Sequence, residues 1–194
     1  MRRAPRAALL LVDFINPLEI PLAPSLVRAT LQAARKTARL KARLARERIP
    51  AIYANDNFGH WMSEFSALVE RCQQAGGEAG QIAHLLEPRS GDRSVLKPRH
   101  SAFFDTPLDF LLKSLRIDVL ILTGATTDSC ITFTAHDAYL RKYGLWIPRD
   151  CVASEQAPYG RAALAQMQRT LKAFTGPSGT QVDRAVAAAA EHLR

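Results

Sequence analysis

The chain has 194 residues, 47% of them apolar and 23% charged, which suits one soluble globular domain with a single sizeable core. No apolar run approaches the roughly 18 residues of a membrane span, which argues against a membrane partner. The basic N-terminus runs straight into Asp13 with no signal-peptide cleavage site, so the sequence predicts a cytoplasmic protein.

The formal charge of +8 raises the question of nucleic acid. The excess sits at Arg2, Arg3 and Arg6 and then in residues 28–48. Within the latter, Leu26, Thr30, Ala33, Thr37, Leu40 and Leu44 recur at helical spacing and mark a buried stripe. Arg28, Arg35, Lys36, Arg39, Arg43 and Arg46 lie off it. A solvated helix face without interleaved aromatics predicts no nucleic-acid partner.

In chain order, residues 7–13 read as a buried strand ending in a carboxylate. A loop with Asn16, Pro17 and Pro21 leads to a helix over 24–48, opened by Pro24. Residues 50–54 form a short strand, and 61–74 a helix that stops at Gly76 and Gly77. A brief strand over 94–96 carries Lys97 at its end, and a helix spans 106–115. A solid apolar strand over 119–122 is followed by a helix to about residue 143. Then come a strand over 144–148, a helix over 157–173 and an alanine-rich helix over 185–193. Strands alternating with helices predict a three-layer α/β/α fold around a mostly parallel, Rossmann-like sheet, as a single domain over 1–194.

The chemistry concentrates in residues 118–138. Gly124 breaks the apolar strand, and the helical pattern restarts at Thr127 or Asp128, both good N-caps. Cys130 therefore falls in a first helical turn, where backbone N–H groups favour a thiolate and can hold an oxyanion. A free cysteine also reads as a small buried hydrophobe. What favours chemistry is its place beyond the carboxyl end of a parallel strand. Asp13 and Lys97 end two other strands, although each alone reads as a turn residue or a surface charge. His136 points about 240° around the helix from Cys130, and Asp137 lies roughly 10 Å along the axis, so neither is a direct partner by spacing. Three irregularly spaced cysteines suit a reducing compartment, and without CxxC, HExxH or a close His/Cys cluster the sequence predicts no metal and no cofactor.

Three segments, ALLLVDFINP, VLKPRHSAFFDTPLDFLL and DVLILTGATTDSCITFTAHDAYLRKYG, resemble the isochorismatase-like cysteine hydrolases, which include nicotinamidases and carbamoylsarcosine amidases. The resemblance runs over residues 7–155 in order and spacing, and the Cys130 segment is its most specific part. It implies a catalytic triad of Asp13 as base, Lys97 as essential lysine and Cys130 as nucleophile. It implies a six-stranded sheet and a non-proline cis peptide at Ala125–Thr126, with the Thr126 and Cys130 N–H groups as oxyanion hole. It also implies hydrolysis of a carbon–nitrogen bond in a small amide through a thioester, and a homo-oligomer, dimer or tetramer.

The chain departs from that pattern in two places. Nicotinamidases carry an Asp and several His after the second strand, whereas YANDNFGHWMSEF offers only Asp56 and His60, which argues against a catalytic metal. After residue 173 the expected sixth strand is replaced by FTGPSG, so the strand is reduced or missing and the tail 174–194 is free to pack on a neighbouring subunit. Phe14, His60, Trp61, Phe104 and Ile131 are candidates for the substrate pocket. Two alternatives stand beside the amidase: a vinyl ether hydrolase, which Cys130 argues against, and a non-catalytic binding or redox-sensing protein on the same fold.

Overall fold

The computed structural model describes residues 3–18, 22–58 and 64–193. Solid apolar runs become strands buried on both faces. They are β1 (Ala7–Val12), β2 (Ala51–Asp56), β3 (Arg93–Lys97), β4 (Val119–Ala125), β5 (Gly144–Trp146) and β6 (Val152–Ala153). The sheet has six strands in the order β3-β2-β1-β4-β5, with β6 also paired to β4, and every pairing is parallel. The sixth strand thus precedes the penultimate long helix. Beyond residue 173 only Phe174 contributes, through a single parallel bridge to Trp146.

Alternation along the strands splits the core into two layers. Leu9 and Leu11 face one side with α1 (Pro24–Arg46), α2 (Phe65–Ala75), α3 (Gly77–Leu85) and α7 (Val182–Ala189). Leu10 and Val12 face the other with α4 (Leu108–Ser114), α5 (Thr132–Leu140) and α6 (Ala157–Leu171). Helix α3 was not expected, because Gly77 and Gly80 interrupt its apolar period. The tail does not stand free: Val182, Ala185, Val186 and Ala189 of α7 are buried in the chain's own core. No described helix is long and apolar enough to cross a membrane.

The register brings the carboxyl ends of β1, β3 and β4 to one edge. Val12 lies opposite Gly124, and Asp56 opposite Lys97. The β1–β4 approach tolerates no side chain at Gly124, which has φ 135°; an added Cβ would sit 1.9 Å from the Val12 carbonyl oxygen. Gly124→Ala is expected to lower unfolding free energy by at least about 3 kcal/mol, since two backbones must part. Urea denaturation followed by circular dichroism checks this.

Candidate active site

Three strand ends deliver three side chains. Lys97 closes β3 with its side chain fully buried, and its Nζ lies 2.7 Å from Asp13 Oδ2. The same ammonium lies 3.9 Å from Cys130 Sγ and donates to the Arg99 carbonyl at 3.1 Å. Asp13 interacts electrostatically with the Cys130 thiol and accepts the Asp56 N–H at 2.7 Å. It holds the left-handed backbone conformation, φ 52°, which is uncommon for a residue with a Cβ. Its own N–H bonds the Ala54 carbonyl at 3.0 Å, so β2 fixes the strained residue from both sides.

Cys130 sits in a π-helical turn, Thr127–Ile131, that runs into α5. The residue capping it is Thr126, not Thr127 or Asp128, and it makes no side-chain cap bond. Thr127 instead ties the turn to β6, its hydroxyl donating to the Ala153 carbonyl at 3.0 Å. Helix α6 packs so close that a Cβ on Gly160 would meet Ser154 Oγ at 2.7 Å. The Ala125–Thr126 peptide is cis, and Thr126 lines the cavity together with Cys130.

The expected thiolate does not follow from this geometry. Burial and the Asp13 carboxylate push the Cys130 thiol up to about 12, against the opposing pull of Lys97. Burial also raises the Asp13 carboxyl, although Lys97 pulls it down. Burial disfavours the Lys97 ammonium, but Asp13, Cys130 and Asp56 outweigh it and hold the charge beyond the ordinary lysine range. At rest the site is an ion pair beside a thiol, because in a low-dielectric pocket one cation stabilises one anion better than two.

A cavity of about 320 Å³ opens here, lined by Asp13, Phe14, Thr126 and Cys130. A larger groove of about 810 Å³ runs along the β3 edge and carries none of the three reactive groups. Of the expected pocket residues, Phe14 lines the cavity, whereas Ile131 is wholly buried in the second core layer. Phe104 is 50% exposed and does not line it. His60 and Trp61 lie outside the described residues. Two further residues matter. Asn55, fully buried, accepts the Ile15 N–H and donates to the Ile15 carbonyl, which fixes Phe14 beside it. His100 places Nδ1 3.7 Å from Cys130 Sγ and stacks on Phe133.

The described donors do not suit a metal. Asn55 is spent on Ile15, and Asp56 Oδ1 accepts the Phe58 N–H at 2.7 Å while Oδ2 faces Lys97 at 3.9 Å. Among the described residues no three His, Cys, Asp or Glu side chains converge.

Residues 7–181 match the isochorismatase domain model. The chain belongs to the isochorismatase family. The uncharacterized isochorismatase family protein YaaI of Bacillus subtilis is 34% identical over 164 residues, 84% of this chain and 90% of that protein. The ureidoacrylate amidohydrolase RutB of an Enterobacter species is 44% identical, but over only 68 residues, 35% of this chain and 30% of that one. An isochorismatase family protein from Desulfovibrio vulgaris superposes with a TM-score of 0.71 at 26% identity, covering 91% of this chain and 95% of that one. The protein is thus an isochorismatase-family hydrolase with amidohydrolases among its relatives.

Iodoacetamide should alkylate Cys130 alone in the folded protein, since Cys72 and Cys151 are fully buried. With the thiol raised to about 12, the rate should still be climbing at about pH 10. Peptide mass mapping across pH reads both; a plateau near neutrality would mean a preformed thiolate.

Proposed function

We propose that the protein hydrolyses a carbon–nitrogen bond of a small amide, with Asp13, Lys97 and Cys130 as the catalytic triad. The observation that carries this reading is the buried Lys97 ammonium, 2.7 Å from Asp13 Oδ2 and 3.9 Å from Cys130 Sγ, the two of which line a cavity. It is supported by the family and by the 68-residue likeness to an amidohydrolase.

Asp13 takes the thiol proton as sulfur attacks the carbonyl carbon. Lys97 balances the negative charge as it moves from carboxylate to sulfur. The carbonyl oxygen becomes an oxyanion held by the Thr126 and Cys130 N–H groups, worth roughly 3 kcal/mol per donor in comparable sites. Collapse expels the amine, which takes the proton back from Asp13 and leaves a thioester. Water, deprotonated by Asp13, then attacks the thioester and releases the acid, and the proton returns to sulfur. A raised thiol fits this scheme. The proton leaves only as the carbon–sulfur bond forms, so a strong nucleophile is made on demand.

We also propose that the chain assembles as a homo-oligomer. Phe133 and Leu140 on α5 remain 54% and 75% exposed. Analytical ultracentrifugation should give a mass of at least a dimer; a monomer at micromolar concentration refutes this.

Ammonia release from a panel of primary amides tests the activity. Cys130→Ala, Asp13→Asn and Lys97→Met should each lower kcat at least about a thousandfold. Intact-mass spectrometry should find an acyl adduct on Cys130 with a true substrate. Lys97→Met should also cost about 3 kcal/mol of stability, because it strands the Asp13 charge.

The pH profile follows from the site. Asp13 works as a carboxylate and its carboxyl is raised, so activity falls as pH drops through a value above the ordinary carboxylate range. Up to about pH 10 the profile should show no alkaline fall, because neither the thiol nor Lys97 titrates below that. A falling limb below about pH 10 would contradict the triad.

A further inference from the structure

The cavity lining is mixed. Asp13, Asp56 and Cys130 line it together with the polar side chains of Asn16, Thr30, His100 and Ser129, and most of the remaining side chains are apolar. Phe14, Leu18 and Leu22 come from the connection after β1, and Leu26 and Val27 from the first turns of α1. Phe58 and Ile82 close the side. Among the described lining residues there is no arginine or lysine. The segments 19–21 and 59–63, which adjoin the lining residues Leu18, Leu22 and Phe58 in sequence, contain neither residue type.

Lys97 does not fill that gap. Its side chain is fully buried, and its donors are spent on Asp13, the Arg99 carbonyl and the Cys130 sulfur. Against this single cation stand two carboxylates, since Asp56 also lines the cavity with its side chain 39% exposed. The formal charge of these three groups is therefore negative before any substrate arrives. A second anion entering here meets two carboxylates, while the nearby ammonium is already paired with Asp13. An apolar group has Phe14, Leu22, Leu26, Val27, Phe58 and Ile82 to pack against, which favours its transfer from water.

We propose that the substrate is an uncharged primary carboxamide with a branched or cyclic apolar acyl group, and that carboxylate-bearing amides and ureido acids are rejected. The inference rests on the amidase reading and narrows it. The amide group reaches the triad, and the acyl group lies against Leu26, Val27 and Phe14. A volume of about 320 Å³ sits at the small end of ligand pockets, which confines the acyl group to one ring or a short branched chain. This separates the chain from the ureidoacrylate amidohydrolases it resembles over 68 residues, whose named substrate bears a carboxylate.

The test compares cyclohexanecarboxamide and isovaleramide with succinamate and N-carbamoyl-β-alanine, using the full chain and ammonia release. The neutral amides should lead in kcat/KM by at least about a hundredfold. Equal or faster hydrolysis of either acid overturns the proposal. Val27→Arg, which sets a guanidinium on the half-buried wall, should raise the succinamate-to-cyclohexanecarboxamide ratio at least about tenfold. An unmoved ratio in a folded variant also overturns it.

Calorimetric titration of Cys130→Ala reads binding without turnover. Cyclohexanecarboxamide should bind and succinamate should not; the reverse, or no binding by either, refutes the substrate class. Absence of turnover by the unmodified chain on every amide, with this binding pattern intact, would instead refute the hydrolase reading alone.

Discussion

A buried ammonium needs an anion, and in this protein that requirement shapes the site. Lys97 has no exposed side-chain surface, and an unpaired charge there would cost several kcal/mol. Asp13 supplies the partner from across the end of β2, which lies between their two strands. To reach it, Asp13 takes a left-handed backbone costing about 1–2 kcal/mol, which bonds to Ala54 and Asp56 hold in place. The ion pair explains at once why β1 stops where it does, why β2 ends at Asp56, and why the sulfur remains a thiol.

The same pair sets the reactive state. With Lys97 neutralised by Asp13, Cys130 gains too little positive potential to ionise, and its position near a helix start does not compensate. Cys130 lies in the π turn that precedes α5 and not in that helix's own first turn. Nucleophilicity is therefore coupled to proton transfer rather than stored in a thiolate.

What was legible in the sequence follows from periodicity and from residues that end strands. The apolar runs at residues 7–12 and 119–122 could be little else, and Asp13, Lys97 and Cys130 stand where parallel strands release the chain. Neighbour choices were not legible. Ile131 and Phe104 are adjacent to residues that face the other way: Cys130 lines the cavity, so Ile131 turns into the core, and Phe103 is buried, so Phe104 faces out. His100 and Asn55 act across 30 and 40 residues of sequence, through loops whose path no local pattern dictates. Lys41 was also hidden within a basic helix. It lies four residues after Thr37, on the buried stripe, and meets Asp92 at 2.6 Å, the Tyr53 hydroxyl at 2.7 Å and the Glu87 carbonyl at 3.0 Å.

That buried lysine bears on selectivity at the other end of its helix. A wall discriminates between acyl groups only if it cannot shift to accommodate the wrong one. The first turns of α1 form the wall, and its later turns are anchored twice. Lys41 binds them to Asp92 and Tyr53, and Arg43 donates to the Ser178 and Thr180 carbonyls of the tail. These bonds tie the later turns of the 23-residue helix to β2 and the tail, and its first turns bring Leu26 and Val27 to the cavity. The basic residues read as a solvated face divide accordingly. Arg28, Arg35, Lys36, Arg39 and Arg46 are exposed, whereas Arg43 is half-buried and structural. Most of the positive charge of α1 is therefore turned to solvent, while the turns that face the cavity present Leu26, Val27 and Thr30.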